Sequence, residues 1–199
     1  MCDGDSPPTW QATAGVDTMA TTIVFDSGIE LRETAVTATL AHFARPRFGW
    51  SVTAGGIVAG SIEGRSLHGG GTLAGAIDWL ALYEGERRPF VAITASLGTA
   101  LIRGTADDGS TRTFSPWDLR GGAMVGKTFA GHVVPYAAAR AFGGPVFWYR
   151  GGASVVGSDR YHVTAGFGVI GRLPDRFDVS IEAMPLGERS ATGAITARF

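Results

Sequence analysis

Ser190-Ala191-Thr192-Gly193-Ala194-Ile195-Thr196-Ala197-Arg198-Phe199 is the stretch on which the fold is read. Side chains alternate between the two faces of an extended strand. Ala191, Gly193, Ile195, Ala197 and Phe199 therefore share one face, and Ser190, Thr192, Ala194, Thr196 and Arg198 share the other. The first face is apolar and uncharged, the second polar and mostly small.

Working back from this strand, the period of two recurs along the chain. It predicts ten strands: Asp17–Asp26, Leu31–Phe43, Phe48–Gly60, Thr72–Tyr83, Phe90–Arg103, Leu119–Phe129, His132–Phe142, Tyr161–Gly171, Phe177–Met184 and Ser190–Phe199. Short turns fall at Ser27-Gly28, Arg45-Pro46-Arg47, Glu84–Arg88, Ala130-Gly131 and Leu173–Arg176, and longer loops at Glu63–Gly71, Gly104–Pro116 and Gly143–Asp159. Eight strands result if the first is dropped and two others merge. Residues 1–16, with Gly4, Pro7 and Pro8, read as an N-terminal tail or short plug, leaving 17–199 as the strand domain.

The composition narrows the setting. Seventeen Lys and Arg against 18 Asp and Glu give a net charge of -1, so no bulk attraction to nucleic acid is implied. Charged residues are only 18% of the chain and glycines number 30, yet no apolar run approaches the roughly 20 residues of a membrane-spanning helix. A chain of this kind in a bilayer must satisfy its backbone as a closed antiparallel β-barrel. A single cysteine, Cys2, excludes an intrachain disulfide; it is read either as the lipid-bearing residue of a lipoprotein or as an accident of the start site. Export requires that a signal peptide has been removed ahead of these residues.

A soluble, lipocalin-like barrel has the same period with its faces exchanged. The polar faces decide between them. Ala92, Thr94, Ser96 and Gly98 in one strand, Thr164, Gly166 and Gly168 in another, and Asp178, Ser180 and Glu182 in a third are small with isolated charges, and Lys127 is the only lysine of the chain. A water-facing exterior favours many Lys and Glu, whereas small groups suit the crowded inside of a narrow barrel. The expected outward sets include Trp50, Val52, Ala54, Gly56 and Val58; Leu73, Ile77, Trp79, Ala81 and Tyr83; and Val91, Ile93, Ala95, Leu97 and Leu101. Met19, Thr21, Ile23 and Phe25 share a face of the first strand. Phe43, Phe48, Trp50, Trp79, Tyr83, Phe90, Phe129, Phe177 and Phe199 gather near the short-turn ends, as an aromatic girdle at one membrane interface would. Trp117, Tyr161 and Phe142 stand toward the other.

The last strand resembles the closing strand of bacterial outer-membrane β-barrels, which commonly ends on a lipid-facing Phe and serves as the assembly signal. The resemblance implies an outer-membrane location in a Gram-negative bacterium, short periplasmic turns, longer extracellular loops and a monomer. It also implies contact with membrane lipid, lipopolysaccharide and the assembly machinery.

With the apolar face on lipid, Asp78, Arg120, Arg140, His162, Asp178, Glu182 and Arg198 point inward as a charge network. Charges in a small lumen are expected to pair, which suits a structural barrel or a narrow channel. A rival reading is enzymatic: His162, Thr164 and Glu182 distantly resemble the His-x-Ser and Glu set of lipid A deacylases, with threonine where serine is expected. Asp107-Asp108 resembles the acidic pair of outer-membrane aspartyl-type proteases, although Asp-Asp-Gly-Ser is also ordinary turn composition. No catalytic set is assigned. His42, His68 and His132 lack zinc-ligand spacing, so neither metal nor cofactor is expected. Phe147, Trp148 and Tyr149 form an aromatic cluster in a long loop, read as outer girdle or as a ligand-contacting, adhesive tip.

Overall fold

The structure is a computed structural model, in which residues 9–25, 28–62, 65–105, 111–150, 153–174 and 176–199 are described. They form β1 (Thr9–Val24), β2 (Gly28–Arg45), β3 (Phe48–Ile62), β4 (Arg65–Leu82), β5 (Phe90–Thr105), β6 (Thr111–Gly126), β7 (Val133–Gly143), β8 (Pro145–Arg150), β9 (Ala153–Asp159), β10 (Val163–Arg172), β11 (Phe177–Leu186) and β12 (Arg189–Arg198). Every pairing is antiparallel. None of the described residues forms a helix long and apolar enough to cross a membrane.

The pairings return to β1 at two levels. Near the turns that join β2 to β3, β4 to β5, β6 to β7 and β10 to β11, here the short-turn end, the cycle runs β1 through β7, then β10, β11 and β12, and back to β1 over Gln11–Ala20. That is ten strands. The β1–β2 connection, expected at Ser27-Gly28 among these turns, is at the other end. Further along, β6 leaves β7 and pairs β8 over Phe114–Pro116, β8 pairs β9, and β9 meets β1 at Ile23 and Val24. Eight strands remain there, because β11 and β12 stop at a turn around Gly187 and β8–β9 passes above them. Between β7 and β8 the chain keeps following β6 past Gly144, where any Cβ would collide with the Trp117 carbonyl.

The twelve strands correct the expected ten, or eight. The loop expected over Gly143–Asp159 is largely the β8–β9 hairpin, since Val146, Phe147 and Trp148 opposite Gly157, Val156 and Val155 supply branched and aromatic pairs that favour a ladder. β1 begins at Thr9, eight residues before the expected Asp17, because β2 and β12 flank it on both sides from Gln11 onward. Of the tail expected over residues 1–16, residues 1–8, Cys2 among them, lie outside the described residues. β4 to β6 likewise extend through much of the expected Glu63–Gly71 and Gly104–Pro116 loops. The pair Asp107-Asp108 falls outside the described residues.

The structure decides one facing left open by the sequence and changes another. Thr21 and Ile23 are buried and Met19 packs on the same core, so that face of β1 points inward. A register shift between Leu80 and Leu82 turns β4, so that Leu82 is exposed and Ala81 is not.

A layered interior as the candidate functional site

The inward face changes character along the strands. At the short-turn end it carries hydroxyls: Thr13 meets Thr196 at 2.8 Å, Thr39 meets Thr53 at 2.7 Å, and Thr94 Oγ1 donates to Asp78 at 2.6 Å. Arg198 Nη2 donates to Asp178 at 3.1 Å at the same end. Small hydroxyl side chains on opposed strands bond each other, whereas Arg198 Nε in the same layer is buried without a hydrogen-bond partner.

The middle layer is charged. Arg120 is the hub: its Nε donates to Asp118 at 2.9 Å, and its Nη1 and Nη2 donate to the two Glu188 oxygens at 3.0 and 3.3 Å. The forked guanidinium matches a carboxylate in this two-point way. Glu188 is only 3% exposed although it belongs to the β11–β12 turn. Gly187 makes this possible, because its φ of 76° and close approach to the Val163 carbonyl exclude a side chain. Thr164, 1% exposed, anchors the turn from β10, its Oγ1 lying 2.7 Å from the Leu186 carbonyl and 2.9 Å from that of Glu188. Beside this cluster Arg140 donates to Glu182 at 2.8 Å, and Tyr136 donates to the same carboxylate at 3.1 Å. Asp17 accepts from Thr192 at 2.8 Å.

These groups enclose a cavity of about 260 Å³ lined by Asp17, Glu33, Asp118, Asp159 and Glu188 against Arg120 and Arg140. One oxygen each of Glu33 and Asp118 is buried without a hydrogen-bond partner. Above it comes the third layer, an apolar roof of Ile23, Ile29, Leu31, Ala35, Ile57, Ile62, Ala100, Ile102, Phe114, Val146 and Trp148. Eight strands enclose an interior just wide enough for side chains to fill. Most of the roof therefore sits where the pairing cycle has dropped from ten strands to eight, while Ala35, opposite Asp17, still belongs to the ten-stranded cycle.

Of the network expected from sequence, Arg120, Arg140, Asp178, Glu182 and Arg198 are in ion pairs and Asp78 is hydrogen-bonded. His162 is not part of it. It precedes β10, is exposed, and rests its Nδ1 3.3 Å from the Phe142 carbonyl. The possible set of His162, Thr164 and Glu182 is thus dispersed, with the Thr164 hydroxyl held by carbonyls and Glu182 held by Arg140 and Tyr136. Asp17, Glu33, Asp118, Asp159 and Glu188 went unselected. Asp17 and Glu33 were legible in the alternation, whereas Glu188 enters only because its turn folds inward. Among the described residues, no three His, Cys, Asp or Glu side chains are grouped so as to hold a metal.

The outward face is apolar over the ten-stranded level: Val16, Val36, Leu40, Val52, Leu73, Ile77, Leu97, Phe167, Ile181 and Ile195 are all exposed. Phe48, Trp50, Trp79, Phe129, Phe177 and Phe199 are exposed at the short-turn end. The other three expected there turn away. The rings of Phe43 and Phe90 lie where Cβ atoms on Gly49 and Gly126 would stand, filling the gaps those glycines leave, and half-buried Tyr83 sits 4.5 Å beneath the Arg47 guanidinium. Trp10, not foreseen, packs on His42 at 4.3 Å and edge-on to Trp50 at 5.8 Å. Phe142 is buried, 4.8 Å under Arg120, while Trp117 and Tyr161 are exposed. In the aromatic cluster Trp148 joins the roof and packs on Phe25 and Phe114, and Phe147 faces outward at 40% exposure. The cluster is therefore not a free tip; the Tyr149 side chain lies outside what is described.

No family model matches the sequence, and no curated protein matches it. Solved structures do resemble the chain. One is the translocator domain of the autotransporter NalP from Neisseria meningitidis, with a TM-score of 0.53 and 10% identity over 98% of this chain and 90% of that one. Another is the outer membrane protein OprG from Pseudomonas aeruginosa, with a TM-score of 0.49 and 10% identity over 98% of both chains. At such identity the likeness is one of fold alone: the antiparallel strands of this chain are arranged as in that translocator domain.

Proposed function

We propose that the chain is a transmembrane β-barrel of a Gram-negative outer membrane with a structural role, its lumen sealed at the outward end. The ten-stranded level lies in the bilayer, the short turns face the periplasm, and the eight-stranded level stands outside. In this reading the exposed Val, Leu, Ile and Phe side chains contact acyl chains, and Phe48, Trp50, Trp79, Phe129, Phe177 and Phe199 mark the periplasmic interface. The strand β12, paired on both edges, is the segment through which the assembly machinery would act.

The observation that carries the sealed reading is the roof. Eleven buried apolar residues from β1, β2, β3, β5, β6 and β8 pack together in the interior beside the Arg120–Glu188 cluster, and this apolar plug is what supports a sealed lumen. The test is planar-bilayer conductance of the detergent-refolded chain. Silent bilayers are expected from protein whose folded state shows heat-modifiable gel mobility. Steady, ion-selective openings from the same sample would replace this reading with the second one, a narrow conduit. That alternative is favoured by the cavity in which five acids face two arginines.

A further inference from the structure

The outward face carries a feature that neither the interior nor the girdle uses. Register places Arg189 of β12 opposite Ala20 of β1, and Ala20 opposite Arg32 of β2. Two exposed arginines thus flank a small residue on three adjacent strands, at the long-loop end. A groove of about 730 Å³ runs over this row and includes all three residues. Arg32 donates to Glu30 at 2.9 Å, in a pair whose side chains are 65% and 51% exposed, so it is only partly neutralised. Arg189 has no ionic partner among the described residues.

Toward the short turns the rows beneath change sharply. Ala191, Thr18 and Thr34 come next, then Gly193, Val16 and Val36, then Ile195, Ala14 and Ala38. A flat, apolar, small-residue wall capped by two guanidinium groups has the polarity of an amphiphile with an anionic head. Arginine's planar fork suits a phosphoryl group, and a guanidinium is less costly to hold at the edge of an apolar surface than an ammonium.

We propose that Arg189 and Arg32 grip a phosphate of lipopolysaccharide's lipid anchor, with its acyl chains lying down the wall over Val16, Val36 and Gly193. The inference rests on the membrane orientation proposed above, since the leaflet at the long-loop end is then the one built of that lipid. Several chains on one small headgroup match a wall several strands wide better than a two-chain phospholipid does.

The test uses the full chain refolded in detergent, with binding of phosphorylated lipid A measured by displacement of a fluorescent analogue. The double variant Arg32→Gln/Arg189→Gln is expected to bind about tenfold or more weakly, as the loss of charge-assisted hydrogen bonds predicts. Arg88→Gln, an exposed arginine at the short-turn end, should match the parent chain, and Glu30→Gln should bind more tightly. Dephosphorylated lipid A should lose the discrimination between parent and double variant. Equal binding by the double variant overturns the site, as does equal displacement by phosphatidylglycerol or inorganic phosphate. Heat-modifiable mobility is recorded on every sample. Its absence from the parent chain would overturn the barrel reading itself, whereas its presence with unchanged lipid A affinity defeats only this site.

Discussion

The ten-stranded and eight-stranded levels share six strands yet have opposite inward polarity. Along β2 the inward residues pass from Thr39 and Thr37 through Ala35 and the single acid Glu33 to Leu31 and Ile29, while the outward ones pass from Leu40, Ala38 and Val36 to Thr34, Arg32 and Glu30. Along β5 the inward series changes from Thr94 and Ser96 to Ala100 and Ile102, while the outward series stays apolar through Leu97 and Leu101 before ending on Arg103. The first level is polar inside and apolar outside; the second has a small apolar core, and its outer surface mixes Thr34, Arg32, Glu30 and Arg103 with exposed Val58, Leu101, Phe147 and Val156. The difference shows that one continuous ladder can reverse its inward polarity while its outward face changes only in part. The boundary is occupied by the Arg120–Glu188–Asp118 cluster, which belongs to neither chemistry.

The strongest way to break this comparison is to empty the upper core. Trp148→Ala removes a ring 9% exposed that packs against Phe25 and Phe114, and it should cost about 3–5 kcal/mol. The loss should be confined to the upper level. Limited proteolysis is expected to cut within β8–β9 while heat-modifiable mobility survives; collapse of both together would mean that the levels are one cooperative unit.

A second, somewhat smaller effect separates the two exteriors. Leu97→Arg, at an exposed position midway along β5, should cost about 2–4 kcal/mol for refolding into bilayers. Thr113→Arg on the neighbouring β6, exposed but at the upper level, should stay within about 0.5 kcal/mol. Equal penalties at both positions, read from urea titrations of refolding into vesicles, would place Thr113 in lipid as well and erase the boundary.

The smallest effect lies at the short-turn end, outside both levels. Glu84 accepts hydrogen bonds from the Thr128 amide and hydroxyl, each at 2.7 Å, and these hold its carboxyl below the usual glutamate range. A lowered folded-state pKa means that the contribution is present above the unfolded value and is lost as pH falls through the folded one. Glu84 is almost fully solvated, so solvent screening keeps the effect small. Glu84→Gln should reduce stability slightly at pH 7 and not at all at a pH low enough to protonate the parent. A pH-independent difference between the two would show that the contact does not act through the charge.

Much of the lower level was legible from residue order alone. Alternation in Ser190–Phe199 and its counterparts fixes which residues share a face, because successive side chains on a strand point to opposite sides. The near absence of lysine and the small residues on the polar face then oriented that face inward. Arg120, Arg140, Asp178, Glu182 and Arg198 were found by this rule since they sit on unbroken alternation. The rule failed where the backbone departs from it. A register shift in β4 and the end of the strand before Tyr83 moved that ring off the outward set, and His162 lies just ahead of β10.

By itself, then, the sequence determined an all-β chain with one small polar face and one apolar face, carrying several of the paired charges. It also contained the inward face's change from hydroxyl to largely apolar residues within β2 and β5, since the change of residue type at fixed parity is written in the order of the residues. Only the tertiary structure decided that the loop at Gly143–Asp159 becomes two strands, that ten strands narrow to eight, and that Glu188 reaches Arg120. Each of these depends on contacts between segments far apart in the chain, set by strand pairing and interior width rather than by any local preference.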